Sequence, residues 1–383
     1  MKNIFNSFPY QYHLRNLFAR KASTLLNLFA VMVTVLVFLV MNGMAAGLKH
    51  SLQSTGREDI LVLLTRGAQT AEVSKIPYDF FPVLKYYPQI AKRTDGSPKL
   101  SQEVYTLKPM LVDDSKNRRW IPMRGIDPAS LDLYKNLLQL EGNALQNSHD
   151  LLVGNLARLK LGNVKIGDQI QIGRQKHKIV GFFSASGSAY ESELWMSRND
   201  LKVDFDMSYD SIAVVQFNSL KNRDDFIDAV SNDKRLRLDI KTEREYFSSL
   251  SENAGILEFI ANLIAIVLSI AAVFTGMNAL YASVAARSTE IGTLRSMGYG
   301  RQSIQLGFMF EGVSLSLLAG CAALLLSLFF QHLPIAFMRA SFRIQIPFTL
   351  MIQGFGLSFM VGLIGSYIPA RQAAKMKIVQ ALR

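Results

Sequence analysis

The residues able to do chemistry are few and widely spread. The one cysteine, Cys321, lies inside an apolar run and has no partner for an intrachain disulfide. His13, His50, His149, His177 and His332 follow no ligand spacing along the chain, so no metal site is read from them. A phosphate-binding loop needs the pattern G-x-x-x-x-G-K-[ST], which the sequence does not contain. Gly298-Tyr299-Gly300 lacks the third glycine and the strand context of a dinucleotide turn. The expectation is therefore no catalytic residue, no metal and no cofactor bound by this chain. Polar groups inside the long apolar stretches are few: Asn42, Asn262, Asn278 and Glu311. An ionisable residue in such a place is a functional candidate. Glu311 sits about two turns from the edge of its stretch, which predicts snorkelling or a helix cap. No chain of buried acids suggests a proton relay, and the paired Gly/Pro-broken helices of many secondary carriers are missing.

A second kind of candidate is mechanical. The stretch from Ala285 to Ile304 carries Ile291, Leu294 and Met297 at three-residue spacing, a short apolar stripe on a predicted helix. Arg287 and Glu290 can pair one turn apart, and Gly298 with Gly300 stops the helix. Such a helix needs a partner for its apolar face; the plainer reading lays it on lipid headgroups, for which the segment is short.

These residues need elements to hold them. Hydrophobic residues make up 49% of the 383, charged ones only 19%, a balance that points to a membrane rather than a soluble globule. The net charge of +12 is not read as a nucleic-acid signal, because Lys and Arg flank the apolar runs. A bilayer core needs roughly 20 apolar residues per helix, and residues 24–48, 254–286, 304–331 and 348–369 qualify. The first is read as a retained span, its apolar run being too long for a signal peptide. Arg15, Arg20 and Lys21, then Arg287, Arg295 and Arg301, then Arg371, Lys375, Lys377 and Arg383 fall on one side of a four-span chain. The short loop 332–347 has only Arg339 and Arg343. The positive-inside rule then predicts residues 1–23, 287–303 and 370–383 in the cytoplasm of a bacterial inner-membrane protein.

Residues 49–253 are expected outside, as an inserted α+β domain. Ile60–Leu64, Tyr105–Leu107 and Ile212–Phe217 read as strands, and Gln169–Ile172 with Lys178–Phe183 as a hairpin. Leu151–Leu161 and Asp224–Val230 have helical spacing, and Arg66–Pro82 reads as a loop between two subdomains. The fold class is thus a polytopic α-helical membrane protein with an α+β extracytoplasmic insertion. Small residues line three spans: Gly43 and Gly47; Gly312, Ser316 and Gly320; Gly354, Ser358, Gly362 and Ser366. Stripes of this kind let helix backbones approach in lipid, within a bundle or across a dimer.

Glu290-Ile291-Gly292-Thr293-Leu294-Arg295-Ser296-Met297-Gly298 resembles the coupling segment of the MacB/FtsX-like family of ABC transporter permeases. Pro369-Ala370-Arg371-Gln372-Ala373-Ala374-Lys375, followed by Gln380-Ala381-Leu382-Arg383, is similar to that family's C-terminal signature; Ile378 stands where the family often has proline, and Gln380 where it has an acid. Leu14-Arg15-Asn16-Leu17 resembles its usual lead-in to the first span. Arg124-Gly125-Ile126-Asp127-Pro128 and Leu152-Val153-Gly154, with Gly167-Asp168 downstream, are similar to its external domain. The resemblance implies a permease dimer, with an identical or a sibling copy, above separate cytoplasmic ATPase subunits that bind ATP and Mg. Too few residues precede the first span to hold an ATPase, which is expected on another chain. The resemblance assigns ATPase coupling to Arg287, Glu290, Ile291, Leu294, Arg295, Met297 and Gly298. It implies export of an unidentified substrate with a periplasmic adaptor. Two alternatives stay open: extraction of lipoproteins, for which Val40-Met41-Asn42-Gly43 is a short match, and a transmitter that transports nothing and switches a cell-wall hydrolase.

Overall fold

A computed structural model describes residues 21–111, 118–162, 164–252, 254–337 and 340–376. The Leu14–Leu17 motif, Arg15, Arg20, Arg339 and the tail from Lys377 with Ile378 and Gln380 lie outside them. The chain divides into two compact units: a helical one formed by residues up to Ala46, Gly255–Leu333 and Ile344 onward, and an inserted one formed by Gly47–Ala254 with Pro334–Arg343.

The elements run in chain order: α1 Lys21–Gln53, β1 Ile60–Thr65, α2 Phe80–Lys85, β2 Leu100–Leu111, β3 Arg118–Ile126, β4 Gln139–Gly142, β5 Asp150–Gly154 and α3 Asn155–Leu161. Then follow β6 Gln169–Ile172, β7 Gln175–Ser184, β8 Leu194–Ser197, α4 Arg198–Phe205, β9 Ile212–Gln216, α5 Leu220–Asn232, β10 Leu238–Thr242 and α6 Glu243–Ser251. The last are α7 Ala254–Ala286, α8 Ser288–Ser296, α9 Arg301–Phe330, β11 Pro334–Phe337, β12 Ala340–Arg343 and α10 Phe348–Lys375.

In the helical unit, α1, α7, α9 and α10 are each long and apolar enough to cross a membrane. The apolar run sets their length, and polar or glycine-containing segments end them. Pro369 does not end α10, which continues to Lys375. Residues 370–375, read from sequence as part of a tail, are therefore helical.

The inserted unit is built on a ten-stranded sheet of order β10-β1-β9-β2-β3-β8-β5-β7-β4, with β6 paired to β7. The two halves share β2: its start, Leu100–Glu103, pairs with β9, and Val104–Leu111 pairs with β3. Strand alternation sorts the core. Ile60, Val62 and Leu64 of β1 enter one cluster with Leu152, Trp195 and Tyr246, while Leu61 and Leu63 face Phe81, Val215 and Phe226 on the other side. Buried on both faces, β1 reads as a continuous apolar run.

Two expectations change. Leu151–Leu161 is not one helix: Leu151 and Val153 face one cluster, Leu152 the other, and only Asn155–Leu161 is helical. The apolar spacing of a buried strand running into a helix mimics a single helical stripe. The loop Arg66–Pro82 separates no subdomains, since Leu63 before it and Ile76 and Phe81 within it share one cluster. In addition, the short loop 332–347 contains the antiparallel hairpin β11–β12, which belongs to the inserted unit and lies against α3 and the turn Ala189–Ser192.

Candidate functional site: the coupling segment

Helix α8 connects α7 to α9. Its end is set by Gly298 at φ +94, where the Tyr299 N–H donates to the Leu294 carbonyl and the Gly298 N–H to the Arg295 carbonyl. This 6→1 and 5→2 pair is the Schellman arrangement, and the left-handed position favours glycine. Ile291 is buried in a cluster with Val284 of α7, Ile304 and Phe308 of α9, and Ala370 and Ala373 of α10.

Polar contacts fix both ends of the segment. Arg287 Nε lies 3.2 Å from Glu290 Oε2, and Arg287 Nη1 lies 3.1 Å from Glu311 Oε2. Its guanidinium also stands 5.3 Å from the Phe308 ring centroid. Arg295 Nη1 donates to the Ala374 carbonyl at 2.8 Å. Thus α8 is tied to α9 at its start and to the last turn of α10 at its end. The expected pairing of Arg287 with Glu290 is present. Glu311 neither snorkels nor caps: it is buried and holds Arg287. Sequence spacing could not show this, because 24 residues separate the two.

The apolar stripe is split. Ile291 is taken up inside the chain, Leu294 is half-buried, and Met297 remains 64% exposed at the helix C-cap. Nothing in this arrangement is reactive. It can act as a lever: an exposed edge formed by Glu290 and Met297, rigidly attached to two long helices.

The predicted packing stripes meet within the chain. A Cβ on Gly312 would lie 2.6 Å from Ser366 Cβ, one on Gly362 2.7 Å from Ser316 Cβ, and one on Gly320 2.8 Å from Ser358 Cβ. Helices α9 and α10 therefore run antiparallel with glycine facing serine at three successive levels. A Cβ on Gly354 would instead meet Leu39 of α1 at 2.9 Å, and one on Gly43 would meet Ile344 at 3.0 Å. Gly47 is buried in α1.

The inserted unit's motifs hold a buried polar network. Arg124 donates to Glu193 at 2.6 and 2.9 Å and to Glu103 at 2.6 Å. Tyr134 donates to Glu103 at 2.6 Å, and Trp195 Nε1 to Glu193 at 2.7 Å. Burial opposes the Arg124 charge, but Glu193 and Glu103 outweigh it and keep the guanidinium well above its ordinary range. Gly154 is required because a Cβ there would strike the Glu191 backbone, with the Glu191 carbonyl carbon 2.6 Å away. Asp168 accepts from the Lys165 amide at 2.7 Å, closing the turn before β6. The fold also gathers His149, His177 and Asp200, which the sequence scatters, with ligand-capable atoms all within 4.8 Å of one another.

Comparison with known families decides what these parts belong to. The family model described as the FtsX-like permease C-terminal domain matches residues 262–378. That of the MacB-like periplasmic core domain matches residues 24–232, more than half of the chain. The chain belongs to the MacB/FtsX-like family of ABC transporter permeases. Among relatives of this family, the macrolide export ATP-binding/permease protein MacB of Pasteurella multocida is 34% identical over 141 residues, covering 37% of this chain. The match spans only 22% of that relative's own length. An uncharacterized ABC transporter permease of Methanocaldococcus jannaschii is 25% identical over 237 residues, covering 57% of this chain and 58% of the relative. The crystal structure of the periplasmic region of MacB from Actinobacillus actinomycetemcomitans is 10% identical with a TM-score of 0.37, covering 51% of this chain and 93% of that one. The MacB/FtsX-like assignment rests on the two family models alone. It places this chain among the membrane permeases of ABC transporters.

Proposed function

We propose that this chain is the permease subunit of an exporter that carries ATP-driven movement from a separate cytoplasmic ATPase, through α8, to a periplasmic inserted unit. The observation that carries the reading is the double attachment of α8, by Arg287 to Glu311 of α9 and by Arg295 to the Ala374 carbonyl of α10. A push on the exposed edge is then felt by two long helices at once, since close-packed groups transmit displacement rather than absorb it. The coupling residues are Arg287, Glu290, Ile291, Leu294, Arg295, Met297 and Gly298. Arg287, Arg295 and Gly298 shape the lever, Ile291 seats it, and Glu290, Leu294 and Met297 face the ATPase. Both termini are cytoplasmic in this reading, which the basic flanks support. A second permease copy, identical or sibling, completes the transport unit, and a periplasmic adaptor receives the cargo. The relatives named as macrolide export proteins support the export reading, with the substrate unidentified.

The test is co-purification of the tagged chain from its native membrane, followed by ATPase assays of the complex in nanodiscs. Glu290→Lys and Leu294→Asp should leave insertion intact while reducing permease-dependent ATPase stimulation by about tenfold, the effect of removing roughly 1.4 kcal/mol of coupling. Normal stimulation in both variants, or the lack of any ATPase in the cross-linked complex, overturns the proposal.

A further inference from the structure

Three side chains able to ligate a metal converge in the inserted unit. His149 comes from the turn before β5, His177 from β7 and Asp200 from the first turn of α4. Their ligand-capable atoms all fall within 4.8 Å of one another. The two imidazoles meet edge to face, with centroids 5.4 Å apart at 78°. His177 is fully buried, and its Nε2 lies 2.6 Å from Asp204 Oδ2. When a neutral His177 donates this hydrogen bond from Nε2, its Nδ1 keeps a free lone pair. Among the described residues, neither His177 Nδ1 nor His149 Nδ1 has a hydrogen-bond partner, although both atoms are buried. Native interiors seldom leave such acceptors unpaired, and each calls for an occupant.

The surroundings prepare the three groups. Asp204 orients His177 as a carboxylate behind a ligating imidazole does. Asp200 accepts from Ser148 Oγ and from the His149 amide, both at 2.7 Å, which fixes its carboxylate and the His149 turn together. Asp150 Oδ2 accepts the Gln146 and Asn147 amides, and the His149 carbonyl accepts from Lys178. His149 itself is held at φ +66, a strained left-handed conformation for a non-glycine residue.

We propose that His149, His177 and Asp200 bind one zinc-class transition cation. Two neutral imidazoles and one carboxylate suit zinc, cobalt or nickel, and disfavour calcium or magnesium, which want oxygen ligands. Tetrahedral zinc at about 2.0–2.1 Å from each ligand would hold them roughly 3.3 Å apart, so small side-chain rotations complete the set. A water takes the fourth position. The ion cross-links the 146–149 turn, β7 and α4, three segments separated along the chain.

The experiment uses the purified full chain in detergent, stripped with a chelator and then titrated with zinc or cobalt alone. We expect one equivalent bound per chain, a visible cobalt band of tetrahedral character, and a zinc-dependent rise in the melting temperature of the inserted unit. His149→Asn removes a ligand but tolerates the left-handed backbone. It should melt as the metal-free wild type does, bind zinc at least roughly tenfold more weakly and lose the zinc-dependent rise. His332→Asn, outside the cluster, should behave as wild type. The proposal is overturned if the wild-type chain shows no stoichiometric binding at micromolar zinc, or if His149→Asn binds and melts with zinc as the wild type does.

Discussion

Glu243 shows how much of the inserted unit's electrostatics one carboxyl can concentrate. Tyr190 donates to its Oε1 through a short hydrogen bond, and the Arg57 amide donates to its Oε2 at 2.9 Å. Burial nonetheless raises its pKa above the ordinary 4.5, against the lowering effect of those two hydrogen bonds. A folded-state pKa above the unfolded value means that the folded chain binds the proton more tightly. The resulting stabilisation is complete below about pH 4.5 and fades as pH rises through the folded value. Glu243→Gln has nothing to titrate there. Its melting temperature, scanned upward from pH 4.5, should lack part of the fall seen in wild type, and identical profiles would show that Glu243 keeps an ordinary pKa. At the same scale the sequence was a partial guide. The Arg287–Glu290 pair was legible because three residues on a helix bring side chains together. Glu311 was misread because its partner lies on another helix.

At the scale of elements, the packing of α9 on α10 is a matter of register. Gly312 opposes Ser366, Ser316 opposes Gly362 and Gly320 opposes Ser358, each pair one turn from the next. A methyl added at Gly320 would press on Ser358, whose Cβ is 2.8 Å from the added atom. Gly320→Ala should destabilise the helical unit by about 1–3 kcal/mol, read as a lower melting temperature in detergent. Ser358→Gly in the same chain should recover much of that loss, since it clears the space. If Gly320→Ala melts as wild type does, the facing register is wrong. The four-residue spacing of these small residues was visible in the sequence; which helix each stripe faces was not. The strands were legible where a short apolar run is bounded by polar residues, as in Ile60–Leu64. They were missed at Leu151–Val153, where a doubly buried strand runs straight into a helix.

For the whole molecule, the inserted unit has cores of its own, formed by residues such as Trp195, Tyr190 and Phe226, so it should unfold in its own transition. Arg124 sits in that unit between Glu103 and Glu193, all three buried. Arg124→Met leaves two carboxylates without their cation and should cost about 3–5 kcal/mol. Differential scanning calorimetry in detergent should show the inserted unit's transition lowered and the helical unit's unchanged; a shift of both would mean that the units melt as one. The sequence by itself determined the four apolar spans, the polar insertion between the first and second, and the short helix with its glycine stop between the second and third, because each is written in neighbouring residues whose periodicity or composition is local. Only the tertiary structure decided that Glu311 holds Arg287, that the tail's Ala374 carbonyl receives Arg295, that Arg124 is matched by two distant acids, and that His149, His177 and Asp200 converge. Those pairings join residues tens of positions apart, and chain spacing says nothing about which of them a fold will bring into contact.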